Sequence, residues 1–71
     1  MEETLGKRIR KTRKAMGMSL NELTQRCGAS PGAIWRIERD EITNPHADRV
    51  IALAKALRVT SDYLLGIKEQ P

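Results

Sequence analysis

The stretch GASPGAIWRIERD, residues 28–40, sets Arg36 and Arg39 beside Trp35 within a few positions of each other. A guanidinium is a planar fork of donors that matches the edge of a guanine or the oxygens of a phosphate. An indole beside it offers apolar contact to a thymine methyl or to a sugar edge. These are side chains suited to a polyanion. The same bias appears upstream, where Lys7, Arg8, Arg10, Lys11, Arg13 and Lys14 fall within eight positions. Residues 1–39 carry nine Lys/Arg against four Asp/Glu, and residues 40–71 carry four against five, for a net charge of +4. A basic N-terminal half points to DNA or RNA first and to an anionic membrane surface third.

Other chemistries find little to work with. A single Cys27 and a single His46 leave no internal disulfide, no thiolate cluster for zinc and no metal site. His46 has no Ser or Cys set for activation near it and reads as a solvated residue at the start of a helix; Cys27 reads as a small core residue. There is no Gly-rich phosphate loop, and an enzyme is not expected; nor is a cofactor or a small-molecule ligand. No window approaches the ~18 apolar residues of a membrane span, and MEETLGKRIRK has no apolar run behind its charges to make a secretory signal. One unpaired cysteine fits a reducing, cytoplasmic compartment, at the nucleoid if the partner is DNA.

The elements that must hold these side chains are all helical, since no alternating run would make a strand. With 71 residues, 39% hydrophobic and no Phe, one small domain with an aliphatic core is expected. Thr4 caps a first helix running to about Met16, with Leu5, Ile9, Thr12 and Met16 as its inward stripe and Gly17 as its end. Ser19 with Glu22 forms a capping box for a second helix, whose Leu20, Leu23 and Cys27 lie on one side. Gly28 stops it, Ser30 caps the next, Pro31 takes the first helical position, and the third helix runs to about Arg39. Two short helices joined so tightly cross at a large angle, which is the helix-turn-helix unit. After the loop DEITNP, Pro45 and His46 lead into a fourth helix with Val50, Ile51, Ala54 and Leu57 inward. Ser61 caps a fifth, whose Leu64 and Leu65 pack inward. Residues 1–66 make the domain, and 67–71 read as a tail or the start of a linker.

On the third helix, Ile34 and Ile37 point inward and fix its rotation. Gly32, Trp35, Arg36 and Arg39 then fall roughly 130–170° away, with Pro31 and Ala33 at the flanks. The outward face is two arginines, one indole and bare backbone. Arg36 is the candidate for a bidentate guanine contact. Gly32 and Pro31 let the helix N-terminus approach a phosphate closely. Few polar side chains imply a short base code, with more specificity from apolar contact, water and DNA shape. Trp35 has two further readings, packing onto the loop or Met18, and anchoring a protein partner.

LGKRIRKTRKAMGMS, ELTQRCGAS, Ile34, the pair Ile37-Glu38, NP and VIALAKALRVTSDYLLG, in that order and spacing, resemble the Cro/repressor-type (XRE-like) helix-turn-helix DNA-binding domains of phage and bacterial regulators. The resemblance covers Leu5 to Gly66. It implies an all-α fold of five short helices, lambda-repressor-like, whose third helix enters the major groove, two subunits binding a symmetric operator. It also implies an ion pair between Arg13 and Glu38, and each residue lies roughly 70° from its own helix's apolar stripe, where the two would meet across the core. The chain departs from the pattern at Leu20, where a Gln contact is common, at Asp40, where a Gly is common, and at Asp40-Glu41, where cations are common.

The resulting expectation is a sequence-specific DNA-binding transcriptional regulator, a repressor, acting as a homodimer on double-stranded operator DNA. Base readout falls to Arg36, Trp35, Gly32 and Pro31. Backbone contact falls to Ser30, Arg39, Thr43, Asn44, Lys7, Arg10 and Lys14, and Arg13–Glu38 is scaffold. Dimerisation is implied by the resemblance, with Tyr63 and Ile67 as surplus apolar residues. The rival expectation is a protein-interaction module of antirepressor or antitoxin type, favoured by Leu20, Trp35 and the acidic loop. The chain reads either as a complete small regulator or as the N-terminal piece of a longer one.

Overall fold

Three of the helices start where a hydroxyl accepts a backbone N–H three residues ahead: Thr4 Oγ1 from Lys7 at 3.1 Å, Ser19 Oγ from Glu22 at 3.0 Å and Thr60 Oγ1 from Tyr63 at 3.0 Å. Each bond satisfies one of the donors that a helix start leaves unpaired. The computed structural model describes residues 3–67, in the order α1 (Leu5–Ala15), α2 (Leu20–Arg26), α3 (Pro31–Glu38), α4 (Ala47–Leu57) and α5 (Ser61–Leu65), with no strand among the described residues. Of the tail expected at 67–71, residues 68–71 lie outside the described residues. The cap of α5 is Thr60, not Ser61, which is already the first helical residue. Ser19 caps α2 as expected, but the Glu22 carboxylate turns to Arg26 at 3.0 Å and so completes an i,i+4 pair.

All five helices end the same way. Gly17, Gly28, Asp40, Arg58 and Gly66 have positive φ between 57° and 80°. The residue after each donates back over the last turn, Met18 to Arg13 O, Ala29 to Thr24 O, Glu41 to Arg36 O, Val59 to Ala54 O and Ile67 to Asp62 O, at 2.9–3.1 Å. This is the left-handed termination that closes orphan carbonyls and reverses the chain within one residue. At Gly28 it makes the short turn between α2 and α3, where a side chain would be strained. At Asp40 a short polar side chain tolerates the same conformation.

The reversals send one apolar stripe of every helix to a common core of Ile9, Met18, Leu23, Ile34, Ile37, Leu53, Ala54, Leu57 and Leu64. Four expected positions differ, each for a geometric reason. Met16 lies past the last turn of α1 and is exposed; after the reversal at Gly17 it is Met18 that turns in. On α4 the inward positions are Val50, Leu53, Ala54 and Leu57, spaced i, i+3, i+4, i+7, so Ile51 falls about 100° off the stripe and is exposed. In the single turn of α5 only one of two adjacent leucines can face inward, and it is Leu64; Leu65 is exposed. Tyr63 is not surplus, because it packs against the core, whereas Ile67 is exposed.

Candidate nucleic-acid interface

The orientation of α3 is set on three sides. Ile34 and Ile37 are sunk into the core. Gly6 of α1 is buried against the end of α3, where a Cβ would overlap the Ile37 carbonyl oxygen and stand 2.8 Å from Asp40 Oδ1. Beyond Gly6 and Ile9 on the same face of α1 lies Arg13, whose Nε and Nη2 donate to the Glu38 carboxylate at 2.8 and 3.0 Å and whose Nη1 donates to the Met18 carbonyl at 3.0 Å. The two side chains are nearly buried, at 12% and 6% exposure. These hydrogen bonds to Glu38 push the Arg13 pKa up and outweigh the burial that pulls it down; the attraction of the carboxylate's charge adds in the same direction. Removing one partner would strand the other's charge in the interior, which is the expensive way to lose an ion pair.

With α3 held so, Pro31, Gly32, Trp35, Arg36 and Arg39 are all exposed. Gly32, Trp35, Arg36 and Arg39 follow i, i+3, i+4, i+7 and share one face. An added Cβ at Gly32 would meet nothing, so the backbone there is open to approach. Ser30 stands at the N-cap position, but its hydroxyl makes no capping bond, which leaves it available at the open end of α3. Arg36 has no ion-pair partner among the described residues. Arg39 is arranged differently. Its guanidinium carbon lies 4.7 Å from the centre of the Trp35 ring, and its Nε meets Glu41 Oε2 at 3.3 Å. Trp35 keeps 44% of its surface exposed and is not among the residues packed against the core.

The six cations of α1 divide into two sets. Arg13 is buried on Glu38, Lys11 pairs with Glu3 at 3.2 Å, and Arg8 donates to the Glu3 carbonyl at 2.7 Å. Lys7, Arg10 and Lys14 remain, exposed and without an ion pair among the described residues. They follow Gly6, Ile9 and Arg13 by one residue each, about 100° around the helix, and so form a stripe beside the seam between α1 and α3. Thr43 and Asn44 are exposed in the loop before α4. A groove of about 580 Å³ runs there between the flank of α3 and the start of α4, lined by Ala33, Ile37, Ile42, Asn44 and Arg49 among others.

Cys27 borders this groove half-buried, and burial pushes its thiol pKa up while the nearby Arg49 charge opposes that more weakly. The group is therefore a thiol, not a thiolate, at neutral pH. No group of three His, Cys, Asp or Glu among the described residues is placed to hold a metal ion, and no described helix is long and apolar enough to cross a membrane.

A family model for the helix-turn-helix matches residues 9–64, which takes in α2, α3 and α4 whole and most of α1 and α5. The chain belongs to the helix-turn-helix family. This helix-turn-helix domain is 40% identical over 63 residues to repressor protein C2 of Salmonella phage P22, a match covering 89% of the chain and 29% of the relative. It is 33% identical over 66 residues to the transcriptional regulator SinR of Bacillus licheniformis, covering 93% of the chain and 60% of the relative. The domain thus spans less than two thirds of the length of these curated relatives. Among solved structures, it superimposes on the P22 c2 repressor in complex with a synthetic operator with a TM-score of 0.85, at 36% identity, over 94% of the chain and all of that one. It superimposes on SinR in complex with DNA with a TM-score of 0.82, at 33% identity, over 86% of the chain and 97% of that one.

Two features of the face have no counterpart among the sequence expectations. Gly6 carried a readable signal: a Gly inside a helix costs about 1 kcal/mol relative to Ala and needs a packing reason. The pairing of Glu41 with Arg39 carried none, since it depends on how sharply the chain reverses at Asp40.

Proposed function

We propose that this domain is a sequence-specific DNA-binding module of a transcriptional repressor, acting in the cytoplasm on the nucleoid and placing α3 in the major groove of a palindromic operator. The observation that carries this reading is the face of α3. It is rigidly mounted by Ile34, Ile37 and the Arg13–Glu38 pair, and open along Gly32, Trp35 and Arg36. A mount of that rigidity supports a surface that must meet base edges in fixed register. Two similar domains have been solved on DNA, one of them on an operator.

In this reading Arg36 forms the bidentate guanine contact, Trp35 lies against a thymine methyl or sugar edge, and Pro31 and Gly32 let the backbone come close. The unspent hydroxyl of Ser30 donates to a phosphate, together with Thr43 and Asn44 of the loop and with Lys7, Arg10 and Lys14 beside the α1–α3 seam. Repression is steric, by occupation of a promoter. Two copies bind as a homodimer, and the exposed Leu65 and Ile67 at the end of α5 supply apolar surface for it.

Selection of bound duplexes from a random pool tests the whole reading. The expected product is a symmetric site whose half-sites are about one helical turn, roughly 34–36 Å, apart. A pool that emerges unenriched at low salt would sink it and favour a protein partner for the same face.

A further inference from the structure

Arg39 stands on the recognition face as a second cation, and contact with a phosphate is its obvious use. Its surroundings favour another. The left-handed Asp40, with φ 63°, turns the chain back so that the Asp40 N–H reaches Ile37 O at 3.1 Å and the Glu41 N–H reaches Arg36 O at 2.9 Å. That double bond over the last turn of α3 delivers the Glu41 carboxylate to the side of Arg39, and Arg39 Nε meets it at 3.3 Å. From the same position the guanidinium extends over Trp35, one helical turn earlier, with its carbon 4.7 Å from the ring centre. Loop acid, arginine and indole thus form a chain of three, each placed by the one before.

We infer that Arg39 and Glu41 are positioning residues for Trp35, and that the indole, held by them, is the specificity-determining apolar contact of the proposed DNA interface. Charge and order both favour this assignment. Glu41 sits at the end of the reading helix, where a free carboxylate would repel phosphates; paired with Arg39 its charge is offset, while Asp40 holds its Oδ1 toward Gly6 of α1, and Arg36 is left as the only unmatched cation on the face among the described residues. An Arg39 that left to contact a phosphate would expose Glu41 to the same backbone. As for order, a half-exposed Trp on a helix has several rotamers open to it, and a contact to a methyl group discriminates between bases only if the ring is already in place. A guanidinium stacked on one side of the ring restricts it, with strength typical of an exposed cation–π pair.

The inference rests on the DNA reading, and its test separates the two. Trp35 is the sole Trp of the chain, so its fluorescence reports this site alone. Wild type, Arg39→Ala, Arg39→Lys, Glu41→Gln and the double variant Arg39→Ala with Glu41→Gln are compared by acrylamide quenching in the free protein, by the salt dependence of binding to the selected duplex, and by base preference at each position. Melting curves check that the variants are folded. In Arg39→Ala the stacked population of the indole should fall by about two- to fivefold relative to the unstacked. The ring becomes more accessible to quencher and preference at the base pair beneath it relaxes, while in the double variant Arg39→Ala with Glu41→Gln, which frees no carboxylate, the salt slope stays as in wild type. Arg39→Lys keeps the charge but not the planar fork, and should resemble Arg39→Ala. Glu41→Gln should loosen the ring in the same direction. The opposite pattern overturns the inference: a salt slope reduced by about 1 in the double variant Arg39→Ala with Glu41→Gln, binding restored by Arg39→Lys, and quenching unchanged. A wild type that selects no duplex overturns the DNA reading itself, and with it the assignment of the indole to bases.

Discussion

Arg36 and Arg39 are three residues apart and carry the same guanidinium, yet their neighbours give them different parts. Arg39 is engaged twice, by the indole and by Glu41. Each contact is weak, about 0.5–1 kcal/mol for an exposed cation–π pair and about 0–1 kcal/mol for an exposed ion pair, but both restrain the same side chain. Arg36 has neither among the described residues, which leaves its five donors open to a ligand. Replacing it with alanine should therefore weaken binding to the preferred duplex by about 1–3 kcal/mol and abolish the preference at one base pair. Titrations against the preferred site and its single-base variants would measure this. Uniform weakening across every variant would move Arg36 from base to backbone. The sequence announced the presence of both arginines and their common face, because helical spacing alone sets that. It was silent on the division of labour, which depends on a loop residue reaching back.

The helix that carries these residues would be too short to hold a register alone; eight residues fall below the length at which isolated helices persist in water. Its rotation comes from Ile34 and Ile37, its tilt from the close approach at Gly6, and its end from the Arg13–Glu38 pair. Gly6→Ala is the sharpest probe of that mount. On helix propensity alone the change is favourable by about 1 kcal/mol. Against this, the new methyl group would overlap a backbone carbonyl that cannot swing aside. Overpacking should win, for a net destabilisation of about 1–3 kcal/mol, and a Tm lower by about 4–8 °C per kcal/mol in a domain of this size. A Tm equal to or above wild type would show that α1 and α3 can separate freely. The ends of the helices were legible where Gly marked them. Asp40 and Arg58 end helices in the same conformation without that marker, and Arg58 gave no sign of it.

Over the whole molecule, the net charge of +4 is less informative than where it is left unpaired. Arg13, Lys11, Arg26 and Arg39 each meet a carboxylate. Among the described residues, Arg36 on α3 and the stripe of Lys7, Arg10 and Lys14, set about 100° from the contact face of α1, are left without a carboxylate. In the proposed DNA-binding reading, long-range attraction to the polyanion falls to the three residues of the stripe. Substituting any one of them by alanine should reduce the slope of log affinity against log salt by about 1 while leaving base preference intact. A slope measurement on the single variants checks the set, and a variant with an unchanged slope leaves it.

Periodicity and punctuation were enough to specify five helices, their order, the tight turn at Gly28 and the outward face of Gly32, Trp35, Arg36 and Arg39, because a helix obliges residues a turn apart to share a side. The same rule drawn too wide put Ile51 and Leu65 inside beside correctly placed neighbours; Leu53, about 160° around the helix from Ile51, and Leu64, about 100° from Leu65, in fact fill the core. Phase is a tertiary matter: it is chosen by which stripe finds apolar surface opposite. So too are the approach at Gly6, the third hydrogen bond of Arg13 to Met18 O, and the chain from Glu41 through Arg39 to Trp35. Each joins residues from different elements or across a reversal, where spacing along the chain no longer determines distance in space.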